Sequence, residues 1–250
     1  MSAISVPVFR LNKAYHVGLF DGAHDKSSLE GNCLSVSWCP DAWTAIARLG
    51  GRPTWALEHV GGRFLDMCAL GEPRHEQARM AILRWACAAR LLEETTIFRS
   101  YHLLDEEGDE EGYSEHHSLQ EALYETGGGC SPPTRHEGYR ASKRLRALFG
   151  TRSLLGSGAL DFGVMAWAQS HGFDGAWWTE TYEPEALSAP RGAIFRDRVA
   201  SWPRKPCAGP DDDEALARFP RSRIEPIAPR PYTLRVPSVP RGAPLAGLSM

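Results

Sequence analysis

Apolar side chains recur along this chain with two periods, one helical and one alternating. The clearest helical stripe runs from Arg74 to Glu94, where Ala78, Ile82, Trp85, Ala89 and Leu92 share one face and Leu83, Cys87 and Leu91 widen it. Leu160 to His171 repeats the pattern through Phe162, Met165, Ala166 and Gln169. Gly172 then stands where a left-handed residue ends a helix. Pro40 opens a short helix that Gly50-Gly51 stops, and Ser118-Leu119-Gln120-Glu121 is a capping-box start for another. Alternation predicts one or two short strands within residues 5–20 and another over Asn32–Trp38. A strand pair, Thr54–Leu57 and Arg63–Leu65, is expected around Gly61-Gly62. Phe173–Trp178 and Ala193–Phe195 read as strands flanking a loop that is both acidic and aromatic.

Between these elements, residues 100–150 read as an insertion of short helices and loops. It holds the acidic run Asp105–Glu111 and a basic helix from Tyr139 to Phe149 with Lys143, Arg144 and Arg146, closed by Gly150. After Trp202 proline becomes frequent and apolar periodicity fades. The predicted organisation is therefore one α+β domain over residues 1–202, with the 100–150 insertion, and a proline-rich C-terminal arm over 203–250.

Composition narrows the functional classes. With 250 residues and 42% hydrophobic content, the chain can bury one full core. A net charge of -3 offers no global attraction for nucleic acid. No apolar run of membrane-spanning length occurs, and the opening MSAISVPVFRLNK lacks the basic start and apolar block of a signal peptide. The expectation is no membrane partner and a cytoplasmic location, or delivery into a target cell. Six cysteines are widely spaced with no C-x-x-C pair, which favours free thiols. A zinc site would need Cys130, His116, His117 and His136, without the close ligand pairs such sites use, so no metal is expected.

Three stretches carry the candidate chemistry. A strand ends in Tyr15-His16-Val17-Gly18. A second strand, Leu34-Ser35-Val36-Ser37, puts two hydroxyls on one face because they lie two apart. A late strand–loop–strand brings Asp174, Trp177, Trp178, Glu180, Glu185 and Arg191. Their order resembles the mono-ADP-ribosyltransferase superfamily, which includes bacterial toxins and poly-ADP-ribose polymerases. The resemblance implies an ADP-ribosyltransferase-like split antiparallel β-sheet core with flanking helices. It also implies NAD as the substrate, and transfer of ADP-ribose to a protein or nucleic acid, as in a bacterial toxin or effector. By it His16 matches the NAD-holding position and Ser35 the position beside nicotinamide. The family's catalytic acid usually opens the last core strand. Here that place reads Ser188-Ala189-Pro190-Arg191-Gly192, so Glu180 and Glu185 are the nearest upstream acids and Asp174 is a further one.

The chemistry suits such residues. Cleaving the nicotinamide–ribose bond builds positive charge on the ribose, which a carboxylate stabilises. Trp177, Trp178 or Tyr182 would offer nicotinamide a flat surface, and Arg191 a fork for the pyrophosphate. Tyr15, Gly18, Ser37 and Asp174 complete the expected NAD-binding set. Three alternatives stand beside this reading. One is NAD hydrolysis without transfer. Another is a cysteine hydrolase using Cys33 with His16. The third is a non-enzymatic immunity or adaptor module using the acidic loop and the proline arm. For a toxin, an antitoxin or immunity protein is an expected partner.

Overall fold

The computed structural model describes residues 3–18, 32–103, 110–125, 131–151, 154–179, 182 and 188–230. In chain order the elements are β1 (Ile4–Val17), β2 (Leu34–Ser37), α1 (Pro40–Ile46), β3 (Thr54–Asp66), α2 (Met67–Gly71), α3 (Glu76–Ala88), β4 (Leu92–Leu103), β5 (Glu110–His116) and α4 (Leu119–Glu125). They continue as β6 (Thr134–Ala141), α5 (Lys143–Phe149), α6 (Gly156–Ser170), β7 (Gly175–Thr179), β8 (Arg191–Ile194), β9 (Arg204–Cys207), α7 (Asp212–Ala217) and β10 (Arg223–Ile227). The expected α+β class is therefore present.

Seven strands form the main sheet in the order β10-β1-β2-β8-β7-β3-β9. A further β1–β3 pairing closes β1, β2, β8, β7 and β3 into a barrel-like ring. The sheet is mixed, since β3 and β7 run parallel while the other pairs are antiparallel. Strand alternation then sorts side chains to two sides. Phe9, Leu11, Leu34, Val36, Leu57, Phe64, Trp177 and Ile194 form one buried cluster with Trp202, on one side of the closed sheet. Val6, Val8, Leu65, Ala176, Ala193 and Phe195 join the second and larger cluster, with α3, α5 and α6. Each large side chain buried this way contributes on the order of 1.5–3 kcal/mol. Helix α6 is buried around most of its circumference, as its run of Phe162 to Ala168 requires, and packs on α3, α5, β4, β6 and β7.

Four sequence expectations change. First, the strand pair around Gly61-Gly62 is one strand, β3. The register jumps from Leu11↔Gly62 to Lys13↔Glu58, so residues 59–61 bulge out, and the Asn12 carboxamide oxygen accepts the Gly61 N–H at 2.7 Å. Second, the long helical stripe ends at Ala88. Arg90 adopts φ 56°, and Leu92 opens β4 instead of a further turn. Third, residues 100–150 contain strands as well as short helices. β4, β5 and β6 form a three-stranded antiparallel sheet, and the basic helix starts only at Lys143, where the Ser142 hydroxyl accepts the Leu145 N–H. Fourth, the segment after Trp202 is no free arm up to residue 230. β9 pairs with β3 and β10 pairs with β1, Pro206 and Pro226 being tolerated on outer strands of the sheet. Residues 231–250 of the expected arm lie outside the described residues.

Candidate functional site

β1 delivers His16 to the seam where it meets both β2 and β3. Its cross-strand neighbour on β3 is Trp55, and on the β2 side Tyr15 faces Ser37. The His16 Nδ1–H donates to the Ser35 carbonyl oxygen at 2.8 Å. Because a carbonyl only accepts, the proton sits on Nδ1 and the orientation of the ring is set. His16 is 3% exposed. The Ser35 hydroxyl is buried and has no hydrogen-bond partner among the described residues. The two residues singled out as first and second positions thus meet at one seam.

Gly18 ends this stretch in a conformation that favours glycine, φ 124°. Its N–H donates to the Pro53 carbonyl at 2.9 Å, and its own carbonyl accepts the Trp55 indole N–H at 3.0 Å. Trp55 is the residue sequence reasoning missed. It was legible as one limb of a strand, but its pairing with His16 is a matter of register. The His16 Nε2 side of the ring faces Gly18, since a β-carbon on Gly18 would lie 3.8 Å from that nitrogen.

A second group lies one row along. Tyr15 pairs with Ser37, Ser37 with Arg191, and Arg191 with Thr179, so four strands align these positions side by side. The Arg191 guanidinium sits 5.0 Å over the Trp43 ring of α1, an aromatic that sequence reading did not connect with it. Tyr15 packs edge-on against Trp38, and the Trp38 indole N–H donates to the Ala215 carbonyl of α7. Ser37 is fully buried, and its hydroxyl donates to the carbonyls of Pro190 (2.8 Å) or Cys39 (3.1 Å). That hydroxyl closes the turn from β2 into α1 and ties it to the start of β8, so its role here is structural.

The late stretch divides. Trp177 is fully buried, edge-on to Phe64 and Phe9, and serves as core. Trp178 points to the other side and packs against the larger core cluster. Asp174 joins three strands: its carboxylate accepts the Arg63 N–H at 2.8 Å, its own N–H donates to the Arg63 carbonyl, and its carbonyl accepts the Phe195 N–H. These contacts do not bring Trp177, Trp178 or Asp174 onto the His16–Ser35 seam. Glu180 and Glu185 lie outside the described residues. Tyr182, between them, donates its phenol proton to Asp212 Oδ2 at 3.1 Å; burial and then the Asp212 charge push it up to about 12. Asp212 also accepts the Ala42 N–H at 3.0 Å, so α7 ties Tyr182 to α1.

No family model, curated protein or solved structure matches the chain. The seam is therefore read on its own chemistry. Cys33 is 1% exposed within the larger core cluster and precedes a strand, without the helix start that lowers a thiol pKa. Cys39 is fully buried, and burial followed by the Asp212 charge pushes its thiol up to about 12. Burial at Cys39 thus disfavours a thiolate there. Among the described residues no three metal-ligating side chains group together, and Cys130 lies outside them.

Proposed function

We propose that this chain cleaves NAD and transfers ADP-ribose to a macromolecular acceptor, with the closed five-stranded sheet as an ADP-ribosyltransferase-like core. The observation that carries the reading is the 2.8 Å bond from His16 Nδ1 to the Ser35 backbone. It joins the two strand positions that the resemblance pairs around NAD. With its Nδ1 proton committed to the backbone, the ring turns its Nε2 edge toward Gly18, and in this reading that edge meets a ribose hydroxyl. The buried Ser35 hydroxyl is assigned to the nicotinamide end in this reading. Arg191, held over Trp43, supplies a guanidinium for the pyrophosphate.

In the reaction the nicotinamide–ribose bond breaks and its electron pair leaves with nicotinamide. An acceptor nucleophile then bonds to the ribose carbon and releases its proton. A carboxylate, Glu180 or Glu185 in this reading, stabilises the ribose cation between the two events.

The test is incubation with NAD labelled in its ADP-ribose half, using cell lysate as the source of acceptor. The expected result is free nicotinamide together with label on a macromolecule. His16→Ala and Ser35→Ala should each lower both by about 10²-fold, and Glu180→Ala and Glu185→Ala identify the acid. Nicotinamide release without label assigns hydrolysis instead. Neither product, from a folded protein, overturns the proposal.

A further inference from the structure

Away from the seam, the end of the three-stranded sheet forms a groove of about 580 Å³. Among the described residues, Arg90, Arg140, Lys143, Arg144 and Arg146 line it with a single carboxylate, Glu93. They come from separate places in the chain. Arg90 turns α3 into β4, Arg140 stands near the end of β6, and the other three lie on α5. Glu93 pairs with Arg140 at 2.8 Å, while Arg90 and Lys143 make no ion pair among the described residues. Arg144 also donates to the Ala89 carbonyl at 3.4 Å, which draws the first turn of α5 onto the end of α3. In a chain of net charge -3, five cations around one concavity make a local positive field against a negative background.

We infer that this groove docks the phosphate backbone of a single-stranded nucleic acid. Four of the five cations are arginines, whose planar forks match phosphate and carboxylate oxygens alike. One observation favours a nucleic acid over an acidic protein. His117, which also lines the groove, leads directly into α4, where Leu123 is 58% and Tyr124 90% exposed. A cation-lined groove for phosphates, with an exposed ring for bases on the short helix that follows His117, is the combination that single-strand binding uses. An acidic peptide would engage the cations and leave the ring unused.

The groove also connects to the seam. At the other end of α5, the Phe149 carbonyl accepts the Asn32 N–H at 2.7 Å, three residues before Ser35. Seven helical residues span roughly 10 Å, so a strand held in the groove lies one short helix from β2. That this strand is also the acceptor of ADP-ribose rests on the transfer proposed above.

The experiment is fluorescence anisotropy of the full chain, without NAD, on labelled single-stranded DNA and RNA of about 16 nucleotides. Binding should weaken as salt rises, with a log–log slope of about -0.7 per phosphate contacted. Lys143→Glu with Arg144→Glu should lower affinity at least tenfold and flatten the slope. Tyr124→Ala should lower affinity and keep the slope. Near-ultraviolet circular dichroism checks folding, and Arg90→Gln with Lys143→Gln provides a gentler pair with the same expected direction. No binding at low salt, or binding unmoved by both pairs of groove substitutions, overturns the inference. So does full displacement by poly-glutamate with no effect of Tyr124→Ala, which assigns an acidic protein instead. NAD is then added: label on the oligonucleotide makes the strand the acceptor. Binding without label keeps the groove and removes that role.

Discussion

His171 shows how far one side chain can tie separate elements together. Its ring stacks on Trp167 with centroids 4.4 Å apart. Its Nδ1–H donates to the Trp167 carbonyl at 2.8 Å, and Nε2 accepts the Arg230 N–H at 3.3 Å. A protonated ring could not accept that N–H. Burial, aided by the Arg230 charge, lowers its pKa from 6.5. The folded-state value is below the unfolded one, so the stabilisation is whole above about pH 6.5. Below that the unfolded chain takes up protons first, and stability falls until the folded ring titrates as well. Asp161 acts with the opposite sign, because burial pushes its carboxyl up to about 6 and the folded chain gains protons first as pH drops. Urea midpoints at pH 7.5 and 5.5, measured in an Asp161→Asn background, should show a drop that His171→Gln removes. At pH 7.5 the same substitution should cost about 0.5–1.5 kcal/mol, the worth of a hydrogen bond. An equal pH response in both chains would dissociate His171 from the effect.

Among the elements, the β7–β8 pair determines how closely the closed sheet can pack. Gly175 and Gly192 stand where a side chain cannot fit. A methyl on Gly192 would overlap the Ala176 carbonyl and the Trp177 ring, and one on Gly175 would overlap the Ala193 carbonyl and the Phe64 ring. Trp177 occupies the space Gly192 leaves, and Phe64 the space at Gly175. Gly192→Ala should destabilise by about 1–3 kcal/mol through overpacking, read as a lower urea midpoint with unchanged slope. Wild-type stability in that variant would mean the two strands can move apart. The same elements show what was legible beforehand. The stops at Gly150 and Gly172 are written locally, and both adopt positive φ, 66° and 80°. The last three residues of β6, Tyr139 to Ala141, were read as the start of a helix, because the strand's eight-residue register with β4 is a non-local choice that outweighs weak helical spacing.

At the scale of the whole molecule, a ligand that binds only the folded chain raises its stability. NAD at about 100 times its dissociation constant should add about 2.7 kcal/mol. For a chain of this size that is a rise in melting temperature of about 5–10 °C. His16→Ala should abolish the rise while its own melting temperature without NAD stays above the assay temperature. No shift with NAD at any concentration would favour the non-enzymatic interaction module. His16 and Ser35 were assigned to NAD by the resemblance, and the fold brings their two strands together through the His16 hydrogen bond to the Ser35 carbonyl. Asp174, Trp177 and Ser37 looked equally chemical as letters, yet their hydrogen bonds and burial make them structural here.

The division has a physical cause. Sequence by itself determined what depends on near neighbours: helical stripes, glycine stops, strand alternation, the capping pattern at Ser118 and the hydroxyl face of β2. Only the tertiary structure decided which distant strands pair. Ile4 meets Ile227, Trp55 flanks His16, and Arg90 shares a groove with Arg140 and α5. Hydrogen-bond ladders and buried contacts of that kind form between residues far apart in the chain. Local side-chain preference carries almost no information about such partners, because the partner is selected by the burial of all the strands together.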